Sequence, residues 1–291
     1  MADWITENQS AHLKLSAEID KVLYSGQSEF QKIEVVHSLE YGTMLSLDGV
    51  FQTSEREEFI YHEMMSHVPL FLHPNPKHVL IIGGGDGGVA RECVRHDCVE
   101  TVMMIEIDGK VVELAKEYLP TIADAMIRKD PKLTVTIGDG IGFMAQAENK
   151  YDVIIVDCSD PIGPGEGLFT DEFYANTYKA LKEDGLFVQQ TESPMMHQPL
   201  VEKVFGYVSN HFPIARLYTA FIPIYPTGMH CFTMGSKKYD PLTWEANREQ
   251  TFTTKYYNAG IQKAAFALPN FVKDYFCLLY TSPSPRDSTS S

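Results

Sequence analysis

Acidic residues recur at one kind of place in this sequence. Asp86, Glu106, Asp139 and Asp157 each follow a short apolar run, and Asp160 stands just beyond the last. Singly, each has an ordinary explanation, because an acid after a strand often caps the next helix; Asp108, Asp139 and Asp171 all have that option. Gathered along one edge of a sheet, such acids repel one another unless a cation is expected among them. Asp157 and Asp160 together suit an amine: one carboxylate accepts a proton from an attacking nitrogen while the other holds a distant ammonium. Asp86 lies inside Gly83-Gly84-Gly85-Asp86-Gly87-Gly88, whose glycines satisfy G-x-G-x-x-G. That spacing suggests a dinucleotide, but a carboxylate in the turn would repel a pyrophosphate and attract a cation. Glu106 falls 18 positions after Gly88, where an acid accepts hydrogen bonds from both ribose hydroxyls. Asp139-Gly140 fits the edge of an adenine. With Asp86 near a sulfonium, the set would hold an S-adenosyl ligand.

These residues need a scaffold that brings strand ends together. Residues 79–82 are uninterrupted apolar, as in a strand buried on both faces, and a helix follows from Val89. Further strands are expected over 101–107, 133–137, 151–157 and 185–190, with a helix over 109–118 and two β-rich pieces over 213–236 around Tyr225-Pro226-Thr227-Gly228. Repeated βα units predict a Rossmann-like, AdoMet-type α/β domain with a mostly parallel sheet and ligands at its carboxyl edge. Residues 1–55 alternate instead, with turns at Tyr24-Ser25-Gly26, Glu40-Tyr41-Gly42 and Asp48-Gly49, and predict a small N-terminal antiparallel β-domain. Residues 56–67 predict an amphipathic helix ending near Pro69. Its His62-Glu63-Met64-Met65-Ser66-His67 imitates a zinc motif, but the second histidine lies about 140° round the helix from the first. No metal site is expected. The main domain is placed at 56–276, and 277–291 reads as a non-native, disordered tail.

A net charge of −15 over 291 residues argues against nucleic acid or an anionic membrane as partner. Five cysteines without a C-x-x-C pair fit reduced thiols. No signal segment or membrane span is read, so a soluble cytoplasmic protein is expected.

The chain resembles the spermidine synthases of the polyamine aminopropyltransferase family. The resemblance is carried by Ser28-Glu29-Phe30-Gln31, residues 47–52, residues 57–64, the glycine turn, Glu106-Ile107-Asp108, Gly138-Asp139-Gly140, Asp157-Cys158-Ser159-Asp160-Pro161, residues 222–228 and Lys255-Tyr256-Tyr257, in family order across almost the whole chain. It implies transfer of an aminopropyl group from decarboxylated S-adenosylmethionine to putrescine, releasing methylthioadenosine, without a metal. By the same resemblance Gln31, Asp86, Glu106, Ile107, Asp139 and Gly140 contact the donor. Asp157 is the base, Tyr61 orients the amine, and Gln52, His62, Asp160, Glu192 and Tyr225 line the acceptor site. A homodimer or homotetramer is implied as well. Gly165-Glu166-Gly167 and Thr191-Glu192-Ser193-Pro194 depart from relatives, which bears on lid motion and on the far-ammonium contact. The rival readings are an AdoMet-dependent putrescine methyltransferase, a nicotinamide dehydrogenase and a non-catalytic polyamine-binding protein. The acceptor alternatives are cadaverine, agmatine and spermidine.

Overall fold

The computed structural model describes residues 3–159 and 163–281. Asp160 and the tail residues 282–291 lie outside them. The N-terminal sheet is antiparallel, with β1 (Asp3–Asn8), β2 (Lys14–Gln27), β3 (Lys32–Ser38), β4 (Gly42–Leu47) and β5 (Val50–Ser54) in sequence order. Then come α1 (Glu58–Leu72), β6 (His78–Gly83), α2 (Gly88–Val94), β7 (Thr101–Glu106), α3 (Gly109–Tyr118), α4 (Asp124–Ile127), β8 (Leu133–Ile137), α5 (Gly140–Gln146) and β9 (Tyr151–Asp157). The chain continues through α6 (Asp171–Ala180), β10 (Leu181–Gln190), α7 (Gln198–His211), β11 (Ile214–Phe221), β12 (Met229–Ser236), α8 (Ala259–Ala265) and α9 (Asn270–Thr281).

The second sheet has the order β11-β12-β10-β9-β6-β7-β8. Strands β10, β9, β6, β7 and β8 run parallel, while β12 lies antiparallel to β10 and pairs antiparallel with the edge strand β11. From β6 the chain proceeds outward to β8 and then reappears on the other side of β6 as β9. The strand order therefore reverses between β6 and β9, and a crevice opens at their carboxyl ends. The central strands are apolar without alternation because both faces are covered: Val79, Ile81, Val153 and Ile155 join the core around α1, whereas Leu80, Ile82, Ile154 and Val156 join that around α6 and α7. The N-terminal sheet packs on this domain through both faces as well. Ile33, Val35 and Leu45 meet Val111 and Leu114 of α3, while Val36, Met44 and Phe51 belong to the core around α1.

Several expectations need correction. α1 is not amphipathic: it is buried from Tyr61 through Leu72 and carries Pro69 within it. A proline removes one helical hydrogen bond and usually ends the helix. Here the following carbonyls find other donors, Arg248 at Leu70 and the Trp244 indole at Phe71 (3.0 Å), so the last turn survives. Asp171 is not a cap; Thr170 accepts from Phe173 N and fills that role. Strand β10 begins at Leu181, before Gly185, with irregular pairing between Leu181 and Leu186. At the other end of the chain, α9 runs Asn270–Thr281.

The position of α1 depends on the C-terminal region. The Glu63 carboxylate, buried, accepts from the backbone N–H groups of Lys255, Tyr256 and Tyr257 at 2.8, 2.8 and 2.7 Å. Glu63→Ala would leave those three donors without partners, at a cost of about 4 kcal/mol. Denaturant unfolding should show this loss, and a variant as stable as wild type would mean that the clamp carries no weight.

Candidate active site

Gly83 ends β6 with φ of +83°, and a Cβ there would lie 2.1 Å from the Asp157 carbonyl oxygen. Only glycine lets the two strand ends approach this closely. Gly84 N–H then donates to that carbonyl at 2.8 Å. The glycine turn and the acid ending β9 are therefore fixed to each other at the reversal of strand order. A cleft of about 340 Å³ opens above them. It is roofed by the N-terminal sheet, which contributes Gln31 and Gln52, and floored by the strand ends of the larger sheet.

Twelve residues named from the sequence line this one cleft: Gln31, Gln52, Tyr61, His62, Asp86, Glu106, Ile107, Asp139, Gly140, Asp157, Glu192 and Tyr225. Asp160 lies outside the described residues. Two regions can be separated by chemistry. One holds Glu106, buried, with Asp108 N donating to its Oε1 at 2.8 Å. Burial, with the Asp108 and Asp157 carboxylates nearby, pushes Glu106 up to about 7. Asp139 caps α5, taking Ile141 N at 2.9 Å and Gly142 N at 3.1 Å, so the expected adenine contact would have to use the lone pairs that remain. Gln31 donates to Asp108 Oδ2 at 2.9 Å, which leaves its carbonyl for a ligand.

In the second region, Tyr61 donates its hydroxyl to Asp157 Oδ1 at 2.6 Å. Burial and the neighbouring Asp86 raise Asp157 to about 6, against the pull of His62 and the Tyr61 hydrogen bond. The Tyr61 phenol, buried beside that carboxylate, is held well above its ordinary range and stays a donor. Tyr225 packs edge-on to Tyr61 and donates to the Gln52 carbonyl at 2.7 Å. Glu192 is buried with φ of +64°, a conformation costly for a non-glycine residue. Its N–H donates to Gln190 Oε1 at 3.1 Å, and its carbonyl accepts from Cys231 N at 2.8 Å.

Asp86 lines the cleft as expected, and its carboxylate also has partners within the protein that the sequence did not name. His62 Nε2 lies 3.1 Å from Asp86 Oδ2, and Gly88 N donates to Asp86 Oδ1 at 2.9 Å. The crowding of acids is thus relieved in two ways, by a histidine cation at Asp86 and by raised proton affinity at Glu106 and Asp157. Sequence reasoning missed Glu7, Gln190, His197 and His230, which also line the cleft. Glu7 sits in an outlying strand and gives no local signal. Gln190 ends β10 at the same sheet edge as the acids and could have been found by extending that argument to one more strand.

A glycine turn opening onto a helix, followed by acids on successive strand ends, defines the class of parallel-sheet, nucleoside-binding enzymes. Within that class the comparisons are specific. Residues 58–246 match the spermine/spermidine synthase domain, and residues 3–55 match the spermidine synthase tetramerisation domain. A polyamine aminopropyltransferase of Bacillus mycoides (strain KBAB4) is 52% identical over 271 residues, 93% of this chain and 98% of that one. The polyamine aminopropyltransferase of Bacillus subtilis (strain 168) is 51% identical over 271 residues, again 93% of this chain and 98% of its own. Among solved structures, a spermidine synthase in complex with the transition state analogue AdoDATO superposes with a TM-score of 0.88 at 42% identity, covering 95% of each chain. The spermidine synthase of Thermotoga maritima gives 0.86 at 42% identity, covering 95% of this chain and 94% of that one. The chain belongs to the spermine/spermidine synthase family, and it is a transferase of the polyamine aminopropyltransferase kind. Among the described residues no helix is long and apolar enough to cross a membrane.

Proposed function

We propose that the cleft moves the aminopropyl group of decarboxylated S-adenosylmethionine onto putrescine, giving spermidine and methylthioadenosine. The observation that carries this reading is the Tyr61–Asp157 hydrogen bond of 2.6 Å beside a carboxylate raised to about 6. A diamine is protonated at neutral pH, and freeing one nitrogen at pH 7.5 costs roughly 4 kcal/mol. Asp157 takes that proton as the nitrogen attacks the carbon bound to sulfur, and Tyr61 holds the carboxylate in place. The sulfonium leaves as a neutral thioether, so the reaction needs no metal. Glu106 takes the ribose hydroxyls, with Gln31, Ile107, Asp139 and Gly140 around the nucleoside, and Asp86 faces the donor's cationic end. Glu192, with Gln52 and Tyr225 in the same cleft, holds the far ammonium and selects a dication of putrescine length; the resemblance gives Asp160 a share in that task. The family's tetramerisation domain and the exposed Trp4, Val22 and Leu39 of the N-terminal region support an oligomer, either dimer or tetramer. The thiols of Cys93, Cys98 and Cys231, which form no disulfide among the described residues, support work in a reducing cytoplasm.

Purified protein is incubated with putrescine and either decarboxylated or intact S-adenosylmethionine, and products are followed by mass spectrometry. Spermidine and methylthioadenosine from the decarboxylated donor alone are expected. Methylputrescine from the intact donor would replace this reading with a methyltransferase, and no product from either would leave a binding protein.

A further inference from the structure

Behind the cleft wall lies a chain of buried charges that the reaction as proposed leaves unexplained. Glu58, at the start of α1, is 6% exposed. Its carboxylate receives both terminal nitrogens of Arg91 from α2, Nη2 at Oε2 (2.7 Å) and Nη1 at Oε1 (3.0 Å). The same carboxylate meets His62 Nδ1, one helical turn on, at 2.5 Å. The other ring nitrogen of His62 meets Asp86 at 3.1 Å. Arg91 is itself fixed, by Glu92 Oε1 at 2.8 Å and the Thr121 carbonyl at 3.0 Å. Neither Glu58 nor Arg91 lines the cleft.

A histidine with a carboxylate at each ring nitrogen must donate from both, so the ring is an imidazolium. The order Arg91⁺, Glu58⁻, His62⁺, Asp86⁻ alternates in sign, which makes burial of four charges tolerable. Removing the Glu58 charge would leave His62 with one carboxylate partner in an apolar site, where burial favours the neutral ring. The space is also closed. A Cβ at Gly88 would lie 2.3 Å from the His62 ring, so the imidazole is fixed by packing as well as by charge.

We propose that Glu58 and Arg91 are positioning residues for the transfer, holding His62 doubly protonated so that it fixes the Asp86 carboxylate and presents a positive charge to Asp157. The role rests on the reading of Asp157 as the base. His62 reaches that base through a short path: its ring packs edge-on against Tyr61, with centroids 5.4 Å apart, and Tyr61 donates to Asp157. The groups facing Asp157 are Tyr61 and His62 from α1, Asp86 from the glycine turn, Glu106 from the end of β7, and Tyr225 from the loop after β11. Those facing His62 are Glu57, Glu58, Tyr61, Asp86 and Asp157. His62 is the cation that acts on both Asp86 and Asp157, while Arg91 acts on Asp86 from behind. Burial opposes its charge, but Asp86 and Glu58 together hold it well above the ordinary histidine range. With the ring neutral, Asp86 would act on Asp157 without opposition and Asp157 would bind its proton more tightly.

The test uses the full chain and two variants, Glu58→Gln and Arg91→Lys. Side-chain NMR titration of His62 and Asp157 is read first, because it needs no turnover. In wild type His62 should stay an imidazolium throughout the range in which Asp157 titrates. In Glu58→Gln it should lose its proton at a lower pH than in wild type, and Asp157 should move upward by about one pH unit. The amine kcat/KM should then shift its acid limb upward by the same interval, falling about fivefold at pH 6 and converging with wild type above pH 8.5. Arg91→Lys keeps Glu58 paired and should restore the wild-type profile. Unchanged titrations of both groups in Glu58→Gln, with only a lower melting temperature, would reduce the pair to a structural role and overturn the proposal. Shifted titrations without a shifted kinetic limb would overturn the link to catalysis. A wild-type protein that makes no product would sink the reaction reading instead, and the titrations would still decide whether Glu58 governs His62.

Discussion

Asp157→Asn should lose turnover by about a thousandfold and gain stability at the same time. The loss follows from removing a base that takes a proton in the transition state, a contribution of roughly 10²–10⁴ in rate. The gain follows from the environment of the carboxyl, which rises from an ordinary 3.8 to about 6 in the folded protein. A carboxyl whose value is higher when folded binds more protons folded than unfolded between those two limits. Its favourable contribution is therefore complete below about pH 3.8 and is lost as pH rises through about 6. Above pH 7 the ionised group costs the fold about 3 kcal/mol. Asparagine keeps an oxygen for the Tyr61 hydroxyl and removes the charge. Thermal unfolding at pH 8 should show the variant several degrees more stable, with the advantage gone near pH 4. Turnover within tenfold of wild type would remove Asp157 from the role of base. Equal melting temperatures at pH 8 would mean that its surroundings do not oppose the charge.

Glu106→Gln should weaken nucleoside binding about a hundredfold at pH 8, since hydrogen bonds to a buried charged acceptor contribute about 1.5–3 kcal/mol each. The wild-type protein should also show a pH dependence that the variant lacks. Because burial places Glu106 at about 7, the free protein is half protonated there. A ribose diol donates best to the ionised form, so affinity for methylthioadenosine, which is uncharged, should fall about tenfold per pH unit below 7 and level off above 8. Calorimetric titration at several pH values reads both effects. A flat profile in wild type would mean that the ribose does not engage this carboxylate.

The acids at the strand ends were legible because their placement follows from local pattern. Continuous apolar runs mark strands buried on both faces, and parallel strands joined by helices put their carboxyl ends on one side. Residues 79–82 and 151–157 as such strands put Asp86 and Asp157 on one edge of the sheet; that β6 and β9 are adjacent is given by the fold. The partners of those acids were not legible. Glu58 and Arg91 are 33 residues apart and meet only because α1 packs on α2. Nothing local in the sequence links them, and neither is among the site residues the sequence names. The same blindness hid the state of Asp86, whose carboxylate already holds His62 before any ligand arrives. Pro69 was read as a stop because the rule for proline is local, whereas the donors that rescue the helix end come from Trp244 and Arg248. Asp139 was named both as a cap and as a ligand contact. The capping is visible in the fold, and the ligand contact remains a proposal.

The Glu63 clamp has a consequence for the order in which the protein can be made. α1 carries Tyr61 and His62, yet its central carboxylate is satisfied only by Lys255, Tyr256 and Tyr257. At typical synthesis speeds the stretch between Leu72 and Tyr257 takes about 10–40 s to emerge from the ribosome. Throughout that interval α1 exists with a carboxylate that cannot yet be buried among its three amide partners. A nascent chain can therefore assemble its N-terminal sheet early, but α1 settles only near the end of translation. Stalled or shortened chains would carry a formed roof over an unfinished floor, and they are the species that quality-control proteases should meet first.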